Sequence, residues 1–344
     1  MNLLIVTQKV DENDQLLGFF PEWMMRFSLK FEKITVLCLE KGKFNLPDNL
    51  IVKSLGKDCG VSKLKQLSNF YYQIFALRDD YDAVFVHMNP IWVILGGPSW
   101  YLMRKRIFFW YTHKAITSKL RIAEKFADVI FTASKESFRL KSKKVIVTGH
   151  GIDTELFKPN YELRIMNYEL IKILSVGRIA SVKNYETLVE AGKILKDRGI
   201  KFVVMIVGEA PLSKDKDYER NIKGKIREFG LDDCFNFVGR VSHGDLPDYY
   251  RSNDMFIHLS KTGSLDKTIL EAMACGMRVL SSNDASKSFL PPDAIFDGND
   301  PIELAERIIS QSKSEANEKL RDYVVKNHNL DKLIDKISYE INNR

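Results

Sequence analysis

Short apolar runs that alternate with helical patterns along the whole chain constrain its fold more than any other feature. Twelve runs, rich in Val, Ile and Phe, occur at 3–7, 34–39, 83–88, 107–112, 129–133, 145–149, 172–177, 202–208, 235–239, 255–260, 278–282 and 294–297. Most lack polar alternation, which is typical of strands buried on both faces. Helical spacing, as in YETLVEAGKILKDRG (185–199), separates them. This alternation predicts an α/β fold with doubly wound parallel sheets.

The runs form two groups of six, which predicts two Rossmann-like domains within the 344 residues. We place the N-terminal domain at 1–158, a linker at 159–170 and the C-terminal domain at 171–328. The segment 329–344 is predicted to be a helix that packs back on the N-terminal domain. Ligands of such sheets bind beyond the carboxyl ends of the strands, so the loops there, facing a cleft between the domains, are the candidates for function.

Cysteine usage and the N-terminus indicate a cytoplasmic protein. The four cysteines are scattered, with no metal-ligand spacing, which fits a reducing compartment and predicts no zinc site. The opening MNLLIVTQKV has no basic region before its apolar residues, so we expect a first strand rather than a signal peptide. No apolar run reaches about 18 residues, so no transmembrane helix is expected.

The positive charge is concentrated in the N-terminal half. The net charge is +7, and residues 1–158 hold 24 Lys and Arg against 16 Asp and Glu. Aromatic and basic residues also mix at 62–75 and 100–111. One interpretation is a face that rests on an anionic membrane, at its cytoplasmic side, and meets a lipid-linked acceptor. The alternative is ordinary core with a solvated basic turn, and without a nucleic-acid motif no nucleic-acid partner is expected.

Two cations follow a predicted strand in SVGRIASVKNYETL (175–188), Arg178 and Lys183. The chain contains neither GxGxxG nor GxxxxGK[ST], so a dinucleotide or P-loop site is poorly supported. Cations at a helix start oppose the helix dipole, which makes sense if an anion lies between them. Guanidinium and ammonium groups both suit phosphate oxygens. Two solvated loop charges are the alternative. Gly208, which ends another strand, would permit close backbone approach to a ligand.

The stretch TGSLDKTILEAMACG (262–276) predicts a loop and then a helix from about Lys267 to Gly276. The free N–H groups at the helix start form an anion site. Gly263 and Ser264 keep the loop small, so a ligand can reach the main chain. Glu271 lies near that end of the helix, where its carboxylate could accept two hydrogen bonds from a ribose diol. A plain turn with a solvated first helical turn is the alternative.

Four ordered segments, VGRIASVKNYETLVEA, VMIVGEAPL, FVGRVSHGDLPDYYRSNDMFIHLS and LEAMACGMRVL, resemble the retaining glycosyltransferases of family 4, which have the GT-B fold. The resemblance is close over about 171–285 and holds only in outline for the N-terminal half. It implies an enzyme that moves a hexose from a UDP- or GDP-linked sugar to a glycan or lipid-linked acceptor. Retention at the anomeric carbon is implied, with no metal ion and no other cofactor.

Residue roles follow from the same resemblance. It implies that Arg178 and Lys183 bind the donor diphosphate and stabilise the leaving phosphate, and that Glu271 holds the ribose hydroxyls. His113 falls where the family often has a histidine that hydrogen-bonds the donor sugar. The remaining implied donor contacts are Gly208 at the diphosphate, Arg240 and Val241 at the nucleobase, the main chain of Ser264, Leu265 and Asp266 at the sugar, and Lys267 and Thr268 at the phosphates.

One position departs from the family pattern. The family often has an acid eight residues before the residue that corresponds to Glu271, and here that position is Gly263. Asp266 stands where a glycine is common and is a candidate to take over part of the missing sugar contact. The departure keeps two alternatives open, a non-catalytic GT-B partner subunit and a GT-B sugar-nucleotide epimerase. An epimerase would need carboxylates for proton abstraction, so the missing acid counts against it.

Overall fold

The computed structural model describes residues 1–14, 16–160, 169–260, 263–313 and 318–344. In these ranges the strands are β1 (Asn2–Val10), β2 (Lys33–Lys41), β3 (Leu50–Ser54), β4 (Ala83–His87), β5 (Arg106–Trp110), β6 (Val129–Thr132), β7 (Val145–Val147), β8 (Ile171–Val176), β9 (Phe202–Val207), β10 (Phe235–Gly239), β11 (Met255–His258) and β12 (Arg278–Ser281). The helices are α1 (Phe20–Ser28), α2 (Lys63–Ala76), α3 (Pro90–Leu102), α4 (Ser118–Phe126), α5 (Tyr185–Asp197), α6 (Ser213–Glu228), α7 (Leu246–Arg251), α8 (Lys267–Ala274), α9 (Pro301–Ser312), α10 (Glu318–Asn327) and α11 (Leu330–Asn343).

The strands form two sheets, and the predicted α/β fold is confirmed. One sheet has the order β3-β2-β1-β4-β5-β6-β7 and the other the order β10-β9-β8-β11-β12. Neighbouring strands are parallel throughout both sheets. In both sheets the strand order reverses beside the first strand, which is the arrangement of a doubly wound fold.

The chain divides into two compact units. The first unit comprises Met1–Gly151 and His328–Arg344, and the second comprises Ile152–Asn327. The predicted boundary at residue 158 falls too late, because Ile152 and Phe157 are buried in a core cluster of the second unit. Most of the predicted linker, residues 161–168, lies outside the described residues.

Helix α11 completes the core of the first unit. Its buried residues share one cluster with β1, β2 and α1, and they are Leu330, Leu333, Ile334, Ile337 and Ile341. The spacing of these residues places them on one face of the helix, so α11 covers apolar surface of the first sheet. The last helix of the chain is therefore part of the first unit, although 176 residues of the second unit, Ile152–Asn327, separate it from β7.

Two strand predictions are corrected. The run at 294–297 forms only an isolated bridge, between Ser281 and Ile295, and a short 3-10 turn at Pro292–Ala294 precedes it. Pro291 and Pro292 lack backbone N–H donors, which disfavours a strand there. Conversely, the edge strand β3 (Leu50–Ser54) was not predicted, because its apolar pattern is short and Ile51 is exposed. The sheets therefore have seven and five strands rather than six each.

The carboxyl ends of β8, β9 and β10 carry a row of glycines. The N–H of Gly177 donates to the carbonyl of Val207 at 2.9 Å, and the N–H of Gly208 donates to the carbonyl of Gly239 at 2.8 Å. All three glycines have positive φ, at 147°, 141° and 82° in chain order. The three glycines therefore lie side by side at the carboxyl-terminal side of the second sheet.

Candidate functional site

The backbone of Gly208, after β9, lies directly against the backbone of Gly177, after β8. A Cβ on Gly208 would lie 2.0 Å from the carbonyl oxygen of Gly177, and a Cβ on Gly177 would lie 2.8 Å from Cε of Lys183. The aliphatic part of Lys183 therefore lies directly on Gly177, at the carboxyl edge of the sheet. Glycine at residue 177 is what permits this approach, since any side chain there would displace the lysine.

The ammonium of Lys183 is paired with a carboxylate. Lys183 closes the 3-10 turn Ser181–Lys183, and its Nζ lies 2.8 Å from Oδ2 of Asp266. Nε2 of His258, the last residue of β11, lies 2.9 Å from the same oxygen. We call these three residues the Lys183–Asp266–His258 cluster. It ties the turn after β8, the end of β11 and the start of α8 to one another.

Asp266 is also the N-cap of α8. Its Oδ1 accepts from the N–H of Thr268 at 3.3 Å and from Oγ1 of Thr268 at 3.1 Å. With two donors on each oxygen, the carboxylate has used its hydrogen-bonding capacity. Direct contact between Asp266 and a sugar hydroxyl, as predicted, would need one of these donors to leave. The geometry favours instead an action of Asp266 through Lys183.

The charges within the cluster are well defined. Burial raises the pKa of Asp266, but the ammonium of Lys183 and the hydrogen bond from His258 outweigh it and hold that pKa well below its usual value. Burial and the charge of Lys183 lower the pKa of His258. The cluster therefore contains an ammonium, a carboxylate and a neutral imidazole whose Nε2–H donates to Asp266. Nδ1 of His258 is buried and has no hydrogen-bond partner in the described part of the chain.

Arg178 is the second predicted cation, and its situation differs from that of Lys183. It is half-buried in the turn directly after Gly177. Within the ranges that the structure describes, its guanidinium has neither an ion-pair nor a hydrogen-bond partner. The sequence suggested that Arg178 and Lys183 are equivalent cations. In the structure Lys183 is paired with Asp266, whereas Arg178 has no ion-pair partner within the described residues.

Glu271 lies inside α8, which begins at Lys267 as predicted. The residue is only 2% exposed. Its Oε2 accepts from the hydroxyl of Tyr250 at 3.0 Å, and its Oε1 lies 3.3 Å from Nε2 of His243. Burial raises the pKa of Glu271, and the contact with His243 outweighs this and lowers it. That both carboxylate oxygens already have protein partners was not predictable from the sequence.

The second unit also contains the other predicted donor contacts. Gly263 and Leu265 are buried, and Ser264, Lys267 and Thr268 are partly exposed around the start of α8. The carbonyl of Ser264 accepts from Nδ2 of Asn283 at 2.8 Å, which fixes the loop before α8.

The two predicted nucleobase contacts follow β10. Val241 is half-buried against the apolar cluster that includes α8, and Arg240 is exposed.

His113 belongs to the first unit. It is exposed three residues after the end of β5, and its Nδ1 accepts from the N–H of Ala115 at 3.1 Å. Its contact with the donor sugar stays a prediction.

Sequence reasoning missed His258, His243 and Tyr250. Only His258 carried a usable signal, because it is a polar residue in the second half of the apolar run MFIHLS, near the carboxyl edge of a predicted parallel strand. No three His, Cys, Asp or Glu side chains within the described ranges are arranged to hold a metal ion. Among the helices described, none combines the length and apolar character needed to cross a bilayer.

A family model described as "Glycosyl transferases group 1" matches residues 166–331. The amylovoran biosynthesis glycosyltransferase AmsK of Erwinia amylovora is 32% identical over 147 residues, which cover 41% of this chain and 34% of AmsK. Mannosylfructose-phosphate synthase of Agrobacterium fabrum is 28% identical over 149 residues, covering 41% of this chain and 33% of the synthase. The chain thus spans about a third of the length of these curated relatives.

Solved structures match over the whole chain. Anabaena Alr3699/HepE in complex with UDP superposes with a TM-score of 0.79 at 16% identity, covering 100% of both chains. The same protein in complex with UDP-glucose gives a TM-score of 0.78 at 14% identity, again covering 100% of both chains. Likeness at this identity is evidence for the fold, and the fold is that of GT-B glycosyltransferases.

Proposed function

We propose that this protein is a retaining glycosyltransferase, because the family model of group 1 glycosyl transferases matches residues 166–331 and the chain has the GT-B fold. It moves a hexose from a nucleotide-diphosphate sugar, linked to UDP or GDP, to a glycan or lipid-linked acceptor. It needs no metal ion. A nucleotide-sugar site in the second unit carries the donor.

The observation that carries the proposal is the pair of cations beside Gly177. The guanidinium of Arg178 has no protein partner within the described residues, and the ammonium of Lys183 lies over the glycine backbone at the same strand end. As the glycosidic bond breaks, negative charge develops on the leaving phosphate. Fixed positive groups at that point stabilise the transition state without giving up a proton. The leaving phosphate oxygen then takes the proton of the acceptor hydroxyl.

The ribose would bind at Glu271. Its contact with His243, at 3.3 Å, is longer than the contact with Tyr250, at 3.0 Å. Oε1 is therefore the oxygen that ribose hydroxyls would take over, while Tyr250 keeps Oε2 in place. A carboxylate that accepts hydrogen bonds from a diol contributes binding free energy because both hydroxyls would otherwise bond to water.

The relatives support the same class of reaction. HepE is described in complex with UDP and with UDP-glucose, which supports a nucleotide-sugar donor. AmsK is named for amylovoran biosynthesis, which supports a glycan product.

The first unit would work at the cytoplasmic face of an anionic membrane. Leu64, Tyr72 and Phe75 project from one side of α2 and are 81%, 69% and 46% exposed. Lys63 and Lys65 lie at the start of the same helix. Apolar side chains beside lysines suit an anionic lipid surface. Co-sedimentation with phosphatidylglycerol vesicles, but not with phosphatidylcholine vesicles, would support this assignment, and equal behaviour would contradict it.

The central experiment is calorimetric titration with UDP, GDP and ADP, followed by a transfer assay with the sugars of the nucleotide that binds. Replacing Arg178 or Lys183 by Ala should weaken binding about 10- to 100-fold, as expected for charged hydrogen bonds. Lys193→Ala, which removes an exposed cation paired with Asp197 on α5, is the matched control. Unchanged affinity in both site variants would refute the diphosphate assignment.

The transfer assay separates the alternatives. Binding without hydrolysis or transfer to any acceptor would favour a non-catalytic partner subunit. Formation of a second sugar nucleotide from the donor, detected by NMR, would favour an epimerase. Release of free nucleotide with a glycoside of retained configuration is the result that the proposal expects.

A further inference from the structure

The Lys183–Asp266–His258 cluster presents an arrangement that donor binding alone does not explain. A site meant to attract a diphosphate contains a carboxylate whose Oδ2 lies 2.8 Å from Nζ of its lysine. A negative charge at this distance opposes the approach of another anion. The question is what the carboxylate contributes there, given that the missing sugar acid at Gly263 is not replaced by an open acceptor on Asp266.

We propose that Asp266, held in place by His258, is an internal anion that competes with the diphosphate for the ammonium of Lys183. This inference rests on the proposed function, because it assumes that Lys183 binds phosphate. In the free protein the carboxylate of Asp266 is paired with the ammonium of Lys183. When a diphosphate arrives, the ammonium transfers to the phosphate oxygens, and when the nucleotide product leaves, the carboxylate takes the lysine back. Asp266 thereby weakens the retention of product.

Asp266 can release Lys183 and still keep hydrogen-bond donors on both carboxylate oxygens. Breaking a buried ion pair is costly when it leaves an unpaired charge behind. Here Oδ2 would keep the hydrogen bond from Nε2 of His258 at 2.9 Å, and Oδ1 would keep both contacts with Thr268. Three donors remain, so the carboxylate stays hydrogen-bonded in both states. His258 is thus a positioning residue that acts on phosphate binding through Asp266.

Lys183 is the more accessible of the two partners that share Oδ2 of Asp266. Its side chain rests on Gly177, where no Cβ confines it, and is 14% exposed. His258, by contrast, is 2% exposed and fixed at the end of β11. We therefore assign the exchange between carboxylate and phosphate to the lysine and the positioning of Asp266 to the imidazole.

The test is the affinity for inorganic pyrophosphate, measured by calorimetry at pH 8 and low ionic strength in wild type and variants. Asp266→Asn removes the charge and keeps an N-cap oxygen, since Asn caps helices as well as Asp does. It should bind pyrophosphate about tenfold more tightly, and the gain should shrink as salt is added. Asp266→Ser, another capping residue, is tested in parallel so that the result does not depend on one variant folding.

The matched control is Asp300→Asn. Asp300 caps α9 in the same unit by accepting from the N–H groups of Ile302 and Glu303. This variant changes net charge and capping in the same way and should leave pyrophosphate affinity unchanged. A gain equal to that of Asp266→Asn would mean that net charge alone is responsible and would overturn the inference.

His258 is tested through its dependence on Asp266. His258→Leu cannot donate to the carboxylate, so Asp266 would rely on Lys183 more heavily and pyrophosphate should bind about threefold more weakly. His258→Gln, which can donate, should restore affinity. In the Asp266→Asn background the effect of His258→Leu should vanish, because coupled residues are not additive. A full effect that persists in that background contradicts the assignment of His258.

The outcomes separate the two proposals. If Lys183→Ala loses pyrophosphate binding but Asp266→Asn is unchanged or weaker, the internal-anion proposal is wrong and the diphosphate assignment stands. If neither Lys183→Ala nor Arg178→Ala changes binding, or if wild type and both Asp266 variants all fail to bind pyrophosphate, the phosphate site itself is refuted, and the inference with it.

Discussion

The backbone of Gly208 passes the carbonyl oxygen of Gly177 so closely that a Cβ at residue 208 would lie 2.0 Å from it. Gly208 also has φ at 141°, a conformation that side chains disfavour. Sterics and backbone strain therefore act together at the end of β9. This contact between two glycines lies at the ends of the two strands on which the proposed phosphate site is built.

Gly208→Ala should accordingly lower the free energy of unfolding of the second unit by about 2–4 kcal/mol, since strain and a displaced neighbour both contribute. Urea unfolding followed by far-UV circular dichroism measures this change. The control is Gly224→Ala in α6, where a Cβ would meet nothing within 4 Å. That substitution should stabilise the helix by about 0.5–1 kcal/mol. A neutral Gly208→Ala would contradict the close contact between Gly208 and the carbonyl oxygen of Gly177.

Glu271→Gln should weaken UDP binding about tenfold if the carboxylate holds the ribose, because a charged acceptor becomes a neutral one. The amide preserves the shape of a side chain that is 2% exposed, so the protein should remain folded. The ligand supplies the matched control. 2′,3′-Dideoxy-UDP lacks the diol and should bind wild type and Glu271→Gln equally. Equal UDP affinities would instead restrict Glu271 to holding Tyr250 and His243.

His328 should make the first unit sensitive to acid. Burial and the proximity of His150 lower its pKa from 6.5 to about 3. Between these pH values the unfolded chain binds the additional proton. The free energy of unfolding therefore falls as pH falls through this window, by about 1.4 kcal/mol for each pH unit from this group. Stability contributed by neutral His328 is fully present above pH 6.5.

His328→Gln should reduce this loss, because Gln does not titrate and its oxygen can still accept from the N–H of His150. Unfolding curves at pH 5 and pH 8 give the difference. His113→Gln removes an exposed histidine of the same unit and should leave the pH dependence unchanged. If His328→Gln keeps the wild-type difference, the imidazole is not the group responsible.

Ile337→Ala on α11 should destabilise the first unit by about 2–5 kcal/mol, as expected when a fully buried Ile is truncated. All four tryptophans of the chain belong to the first unit, so their fluorescence follows its unfolding selectively. Tyr339→Ala, on the same helix at a residue that is 66% exposed, is the control and should change stability by less than about 0.5 kcal/mol. Similar effects of both variants would contradict the packing of α11.

The sequence predicted features that local physics determines. Buried parallel strands show continuous apolar runs, so most strands and the helix that begins at Lys267 were found in place. The edge strand β3 was missed because an edge strand needs fewer buried apolar residues, so its apolar pattern is short and easily overlooked. The run at 294–297 was predicted to be a strand, but only Ile295 forms a bridge. The prolines that precede it lack the backbone N–H donors that a strand needs.

Within the candidate site, residue types were predictable and pairings were not. The sequence identified Lys183, Asp266 and Glu271, but it could not show that Lys183 and Asp266 share an ion pair across 83 positions of the chain. Nor could it connect His258 to Asp266 or His243 to Glu271. Such partners depend on how a loop, a strand end and a helix start converge, which is a property of the tertiary structure alone.

The division of the first unit between the two ends of the chain has a consequence for biosynthesis. A ribosome completes Ile152–Asn327 before it makes α11. The nascent second unit can therefore fold while the sheet of the first still exposes the surface that Ile334, Ile337 and Ile341 later cover. Until α11 has been made, that exposed surface is a natural target for chaperones. The first unit, whose synthesis begins earlier, is therefore the later of the two to complete its core.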